Sequence, residues 1–274
     1  MEKTDQEQIA PDQLPFVAPC NKLPVFAAFD WISLGWQDFK SAPRVSMIYG
    51  FVLILICYML SIASWYLGGA VLLLSLLSGL VFIAPVLAIG LYSVSCQIEA
   101  GSKPKLAFCV REGKRHLGNE MVFSIILLVI FLLWTKAGTG IHIFFPMEGD
   151  PVLTDYITFY AIGSLIGSVF AAIVFCASAF ALPMMMDRKA DAITAVITSV
   201  NAVMKNKLAM LIWISIIAAC IVISFLTAFL AMVVIMPLLG YSTWHGYKQT
   251  INAQLWEENF KLHENNSTSD QLQS

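Results

Sequence analysis

VSMIYGFVLILICYMLSIASWYLGGAVLLLSLLSGLVFIAPVLAIGLYSVSCQI, residues 45–98, runs for 54 positions without an Asp, Glu, Lys or Arg. A helix needs about 20 apolar residues to cross the roughly 30 Å hydrocarbon core of a bilayer, so this stretch is two spans long. SWYLGG, Ser64–Gly69, supplies the turn between them, and the spans fall near 47–66 and 72–93. In hydrocarbon, backbone groups must be satisfied within each segment. The expected fold is therefore an all-α, polytopic transmembrane bundle.

The rest of the chain repeats the pattern. Glu120 and Lys136 enclose 15 uncharged residues and mark a third span near 120–139, with Lys136 snorkelling to the headgroups. AGTGIHIFF, residues 137–145, then reads as a short interfacial or re-entrant piece. The 31 uncharged residues from Tyr156 to Met186 hold a fourth span near 158–182. Leu208–Tyr247 is 40 uncharged residues, which as one helix would measure about 60 Å at 1.5 Å per residue. Two spans near 208–226 and 229–247, joined by a tight turn at Thr227, fit better. With six spans and the N-terminus inside, 15 of the 16 Lys and Arg residues are cytoplasmic and only Lys136 is outside. A single last span lowers that count to 13, so the positive-inside rule favours six. The outer loop after Lys136 holds Glu148, Asp150 and Asp155.

Composition agrees. Charged residues make up 12% of the chain, apolar residues 58%, and mean hydropathy is +0.76. Soluble domains carry about a quarter charged residues. No basic stripe with interleaved aromatics suggests nucleic acid, and no cleavable leader is expected ahead of the first span. Residues 1–27 and 249–274 read as polar cytoplasmic tails flanking a membrane domain over 28–248. The C-terminal tail is expected to be disordered.

Three hairpins share a plan. Each has an amphipathic lead-in, a basic step and an apolar–Pro–apolar exit. The lead-ins are WISLGWQDFKSAPR (31–44), LAFCVREGKRHLGN (106–119) and AITAVITSVNAVMKNK (192–207). The exits are IAPVLAIGLY (83–92), ALPMMMDRK (181–189) and IMPLLGYSTWHGY (235–247). In the third lead-in Ile193, Val196, Val200 and Val203 recur at helical spacing, and Trp31, Ile32, Trp36 and Phe39 do so in the first. Such segments suit helices lying in the cytoplasmic interface. The expectation is six helices as three repeated hairpins, each preceded by an interfacial helix.

Chemistry is sparse. No nucleophile elbow, phosphate loop or metal-binding histidine pair occurs, and the six cysteines are dispersed. His142 and His245 belong to opposite surfaces and cannot share a haem. No cofactor, metal or catalytic residue is expected, and no ionisable residue falls at mid-membrane depth. The candidate positions are Pro85, Pro183 and Pro237, where a missing donor can break a helix, and the interfacial Asp187, Arg188, Trp244 and His245. Gly163, Ser164, Gly167, Ser168 and Ala171 form a small-residue face suited to internal helix packing.

GWQDFKSAP, APVLAIGLYSVSCQIEAG, LPMMMDRKADAITAVITSVNAVMKNK and MPLLGYSTWHGYK, spread over Phe29–Lys248, resemble a bacterial inner-membrane family known as domain of unknown function 2189. The resemblance implies a bacterial inner-membrane protein and brings no activity. Some members carry the label of a putative cytochrome c oxidase subunit I, but this chain lacks the histidines of a haem–copper subunit. The expected function is non-enzymatic, through contacts with lipid, another membrane protein or a respiratory complex. The alternative is a transporter or channel with a path between the hairpins.

Overall fold

The computed structural model describes residues 15–67, 70–115, 117–144 and 152–259. Among them are ten helices: α1 (Ala27–Ser41), α2 (Pro43–Leu67), α3 (Ala70–Glu99), α4 (Leu106–Arg115), α5 (Leu117–Phe144), α6 (Leu153–Ser178), α7 (Ala181–Asp187), α8 (Ala192–Lys205), α9 (Lys207–Leu226) and α10 (Met232–Thr250). The only extended pairings among these residues are isolated antiparallel bridges, Cys20 with Ile251 and Arg188 with Glu258.

The protein is all-α and spans the membrane, but six helices in three repeated hairpins is not its architecture. Four described stretches are long and apolar enough to cross a bilayer: Pro43–Ala63, Gly118–Gly140, Leu153–Asp187 and Lys207–Leu226. The expected second span, 72–93 in α3, is not among the four, and neither is the expected last span, 229–247, most of which lies in α10. Trp244, His245, Tyr247 and Lys248 make its second half amphipathic, and that half is buried against other helices. Residues 68 and 69 of the expected first turn lie outside the described residues, as do Glu148, Asp150, His116 and both chain ends.

The three exits differ because their prolines occupy different helical positions. Pro85 lies deep inside the 30-residue α3. Pro237 lies in the second turn of α10, and that helix runs on through it. Pro183 sits in the first turn of α7, just past a break in the chain. A proline ring clashes with the carbonyl four residues earlier, here that of Ala179, and the helix stops at Ala179–Phe180. Ser199 of α8 repairs the gap. Its hydroxyl donates to the Cys176 carbonyl at 2.8 Å and accepts from the Phe180 N–H at 3.1 Å.

On the lead-in helices the apolar residues divide between the protein interior and the outer surface. In α8, Ala195, Thr198, Ser199, Ala202 and Val203 are buried, while Ile193, Val200 and Met204 are exposed. In α1, Trp31 and Phe39 are buried but Phe29 and Trp36 are exposed. Trp31 meets Trp213 and Phe180 edge-on, with centroids at 5.5 and 6.0 Å. Such pairs add about 0.5–1.5 kcal/mol each beyond their buried area.

The break expected at Thr227 is present. α9 ends at Leu226, and Ala228 and Phe229 take φ of 48° and 65°. This left-handed backbone costs an L-residue about 1–2 kcal/mol. The Tyr58 hydroxyl donates to the Ala228 carbonyl and ties the turn to α2.

Packing is concentrated at one end. There α1 runs along the second half of α10, and α3, α7 and α8 close around the fully buried Met184, Met185 and Met186. The stretches before α1 and after α10 belong to this end. Asn21 N–H donates to the Thr250 carbonyl and Asn252 N–H to that of Pro19, both at 2.8 Å. Residues 251–259 are therefore pinned, in contrast to the disorder expected from 249 onward.

Candidate functional site

The densest polar arrangement lies where α7 runs out. All seven residues of α7 are buried, and the last is Asp187. Arg188 then turns to extended backbone, φ −129° and ψ 153°, and forms its bridge with Glu258. α10 arrives alongside. Positions 244, 247 and 248 are related by three and four residues, so they share one helical face, and Trp244, Tyr247 and Lys248 meet the α7 exit together.

Asp187 Oδ2 accepts from the Tyr247 hydroxyl at 2.7 Å and from Arg188 Nε at 3.1 Å, while Oδ1 lies 3.7 Å from Lys248 Nζ. Lys248 also approaches Glu99 Oε1 at 3.5 Å, and Trp244 Nε1 donates to Glu99 Oε2 at 3.0 Å. Arg188 completes the set, with Nη2 at 3.1 Å from Glu258 Oε1 and Nη1 donating to the Trp256 carbonyl at 3.1 Å. Asn259 closes the far side, donating to the carbonyls of Met185 and Arg188 at 3.0 Å.

The electrostatics follow from that geometry. Burial, with the Asp187 carboxylate alongside, pushes the Tyr247 phenol well above its ordinary range, so it stays a donor. Burial works against charge on Arg188, but Asp187 and Glu258 outweigh it and hold the guanidinium above its ordinary value. The network joins α3, α7, α10 and the C-terminal segment through charge-assisted hydrogen bonds, which are about twice as strong as neutral ones. Its chemistry is that of a clamp.

Of the residues singled out from the sequence, Asp187, Arg188 and Trp244 come together here. His245 does not. It points to the other side of α10, where Nε2 lies 2.8 Å from Oδ2 of the buried Asp38 in α1. Pro85, Pro183 and Pro237 are all buried, in three different helices. Sequence reasoning missed Glu99, Tyr247, Lys248 and Glu258. The spacing of Trp244, Tyr247 and Lys248 was a usable signal, whereas nothing local marks Glu258.

Two further features lie in the spans. Between α5 and α6 is an apolar groove of about 350 Å³, lined among others by Leu127, Phe131, Trp134, Gly167, Phe170 and Val174. The small-residue face expected to pack internally is largely open, with Ser164, Ser168 and Ala171 exposed. At the polar end of α5, Glu120 is buried with neither carboxyl oxygen hydrogen-bonded. Among the described residues no group of three His, Cys, Asp or Glu side chains is arranged to hold a metal ion.

No curated protein and no solved structure matches the chain. The family match is narrower than the resemblance over Phe29–Lys248, leaving α1, α2 and α8–α10 outside it. Residues 72–187, from α3 to the clamp residue Asp187, match the family described as predicted integral membrane proteins, DUF2189.

Proposed function

We propose that this is a non-enzymatic protein of a bacterial inner membrane that works by holding lipid or another membrane protein against the sides of its spans. One observation carries the reading. The four candidate spans bury only 28%, 11%, 28% and 22% of their most apolar windows inside the protein. The remainder is apolar surface that lipid or a partner helix must cover, and the open Ser164, Ser168 and Ala171 on α6 suit close helix approach. Rigidity is supplied from one end by the clamp, which leaves the spans free to serve as a lateral surface.

Orientation with both tails in the cytoplasm is part of the proposal. Its support is the positive-inside rule. Lys22, Arg188, Lys189, Lys205, Lys207 and Lys248 belong to the segments gathered at the clamp end, whereas Lys136 lies toward the opposite end of α5. Tagged protein purified from native membranes in mild detergent tests the function. A stoichiometric membrane protein or a tightly retained lipid is expected. Protein that emerges alone and by itself moves a solute across proteoliposomes overturns the reading.

A further inference from the structure

Glu120 differs from the other buried acids. It lies in the first turn of α5, just inside the span that begins at Gly118, and its side chain is 2% exposed. Two of the other buried carboxyls have donors: Asp38 meets His245, and Asp187 meets Tyr247 and Arg188. Neither oxygen of Glu120 has one. A carboxylate taken out of water without a partner loses several kcal/mol of solvation, and a carboxyl in that position keeps its proton instead.

The surroundings favour a small ligand. α3, α6 and α8 pack against α5. The titratable groups they carry at this end are Tyr92, Cys96 and Glu99 on α3, Cys176 on α6, and Asp191 and Lys205 at the two ends of α8, with Glu112 nearby on α4. None of them hydrogen-bonds a Glu120 oxygen. Phe123, one turn further along, is fully buried in the same core as Tyr92 and Cys96. A second orphan lies on the facing helix: Ser95 Oγ of α3, 1% exposed, also lacks a partner.

We propose that Glu120 is a proton-binding site at the polar margin of the α5 span. It is a neutral acid at rest and exchanges its proton with water at the clamp end. No bond to carbon forms and nothing changes oxidation state; the proton moves between a carboxyl oxygen and water.

The test uses the full chain in native membranes with dicyclohexylcarbodiimide, a hydrophobic reagent that attacks protonated carboxyls. The acid O–H adds across a C=N bond to give an O-acylisourea, which rearranges to a stable N-acylurea with nothing lost. Peptide mass spectrometry is expected to find the adduct on Glu120 and not on the exposed Glu257 or Glu258. Its rate should fall about tenfold per pH unit once the site ionises. The E120Q variant loses the adduct and E120D keeps it. The wild-type pH profile stands alone should E120Q fail to fold. Absence of adduct at Glu120, a rate independent of pH, or protection by sodium at fixed pH overturns the proposal.

Discussion

Gly50 of α2 lies against the backbone carbonyl of Val233, the group in α10 that Pro237 leaves without its helical donor. In an unbroken helix the N–H of residue 237 would bond that carbonyl, and proline has none. A Cβ on Gly50 would come within 2.0 Å of the Val233 oxygen and 2.6 Å of its carbonyl carbon. These are backbone atoms and cannot swing aside. The glycine lets α2 approach α10 so closely that its Cα–H faces the freed carbonyl, a weak but recurrent helix–helix contact.

Gly50→Ala should therefore destabilise the protein by about 1–3 kcal/mol, the usual cost of overpacking a tight core. Gly138→Ala in α5 is the matched control. A Cβ there meets nothing within 4 Å, and replacing a helical glycine by alanine gains about 0.5–1 kcal/mol. Thermal unfolding in mild detergent should lower the midpoint for the first variant and leave it level or higher for the second. Equal behaviour of the two would mean that α2 and α10 do not meet at Gly50.

Tyr247→Phe removes the shortest hydrogen bond to Asp187 but leaves Arg188 in place. The expected loss is about 1.5–3 kcal/mol, the usual worth of a hydrogen bond to a charged group. Asp187→Asn leaves Arg188 and Lys248 facing a neutral amide, and breaking a buried ion pair from one side costs about 3–5 kcal/mol. The double variant should lose less than the sum, because both changes act on the same hydrogen bond. Denaturant midpoints for the three proteins give the coupling directly. Strict additivity would show that the clamp is not a single unit.

Much of this arrangement was legible from sequence, and the gaps have physical causes. The break before α7 follows from Pro183 clashing one turn back, a local effect. The grouping of Trp244, Tyr247 and Lys248 follows from helical period. Glu258 was hidden because its bridge to Arg188 spans 70 positions of sequence, and a polar tail looks the same whether pinned or free. The stripe on α8 poses a different problem. Periodicity locates an apolar stripe, but lipid is as apolar as a protein core, so Ile193 and Val200 can face outward while Ala195, Thr198 and Ser199 pack. Glu120 served in the sequence only to bound a span, since burial of a charge is set by neighbours that the sequence does not name.

Asp191 caps α8, accepting from the N–H groups of Ile193 and Thr194 at 3.1 and 3.0 Å. Partial burial opposes its charge, but these hydrogen bonds prevail and hold the carboxyl below its usual range. A carboxyl whose folded value is depressed adds stability above its unfolded value, near 3.9, and that stability is lost as pH falls through the folded value. Asp191→Ala should thus cost about 1 kcal/mol at neutral pH, as lost N-caps do. The gap between variant and wild type should narrow as the pH is lowered below about 4. Melting curves at several pH values check this, and a gap that widens in acid would contradict it.

The exposed faces of α1 and α8 make the last prediction. Phe29 and Trp36 are 55% and 41% exposed on α1 and Phe26, just before it, 68%, with Lys40 Nζ 5.6 Å from the Trp36 ring centroid. On α8, Ile193 and Met204 are 51% and 52% exposed, and the apolar surface continues into α9 through Leu208 and Leu211. Aromatic rings beside a lysine suit the headgroup level, whereas the same residues in water would form a costly apolar patch. Phospholipid carrying a photoreactive group near its headgroup should therefore label Phe29, Trp36 and Ile193 but spare the fully buried Trp31 and Ala195. Residue-level mass spectrometry reads the outcome. Labelling of these faces by an aqueous radical instead would place both helices away from the bilayer and leave the apolar surface to a soluble partner.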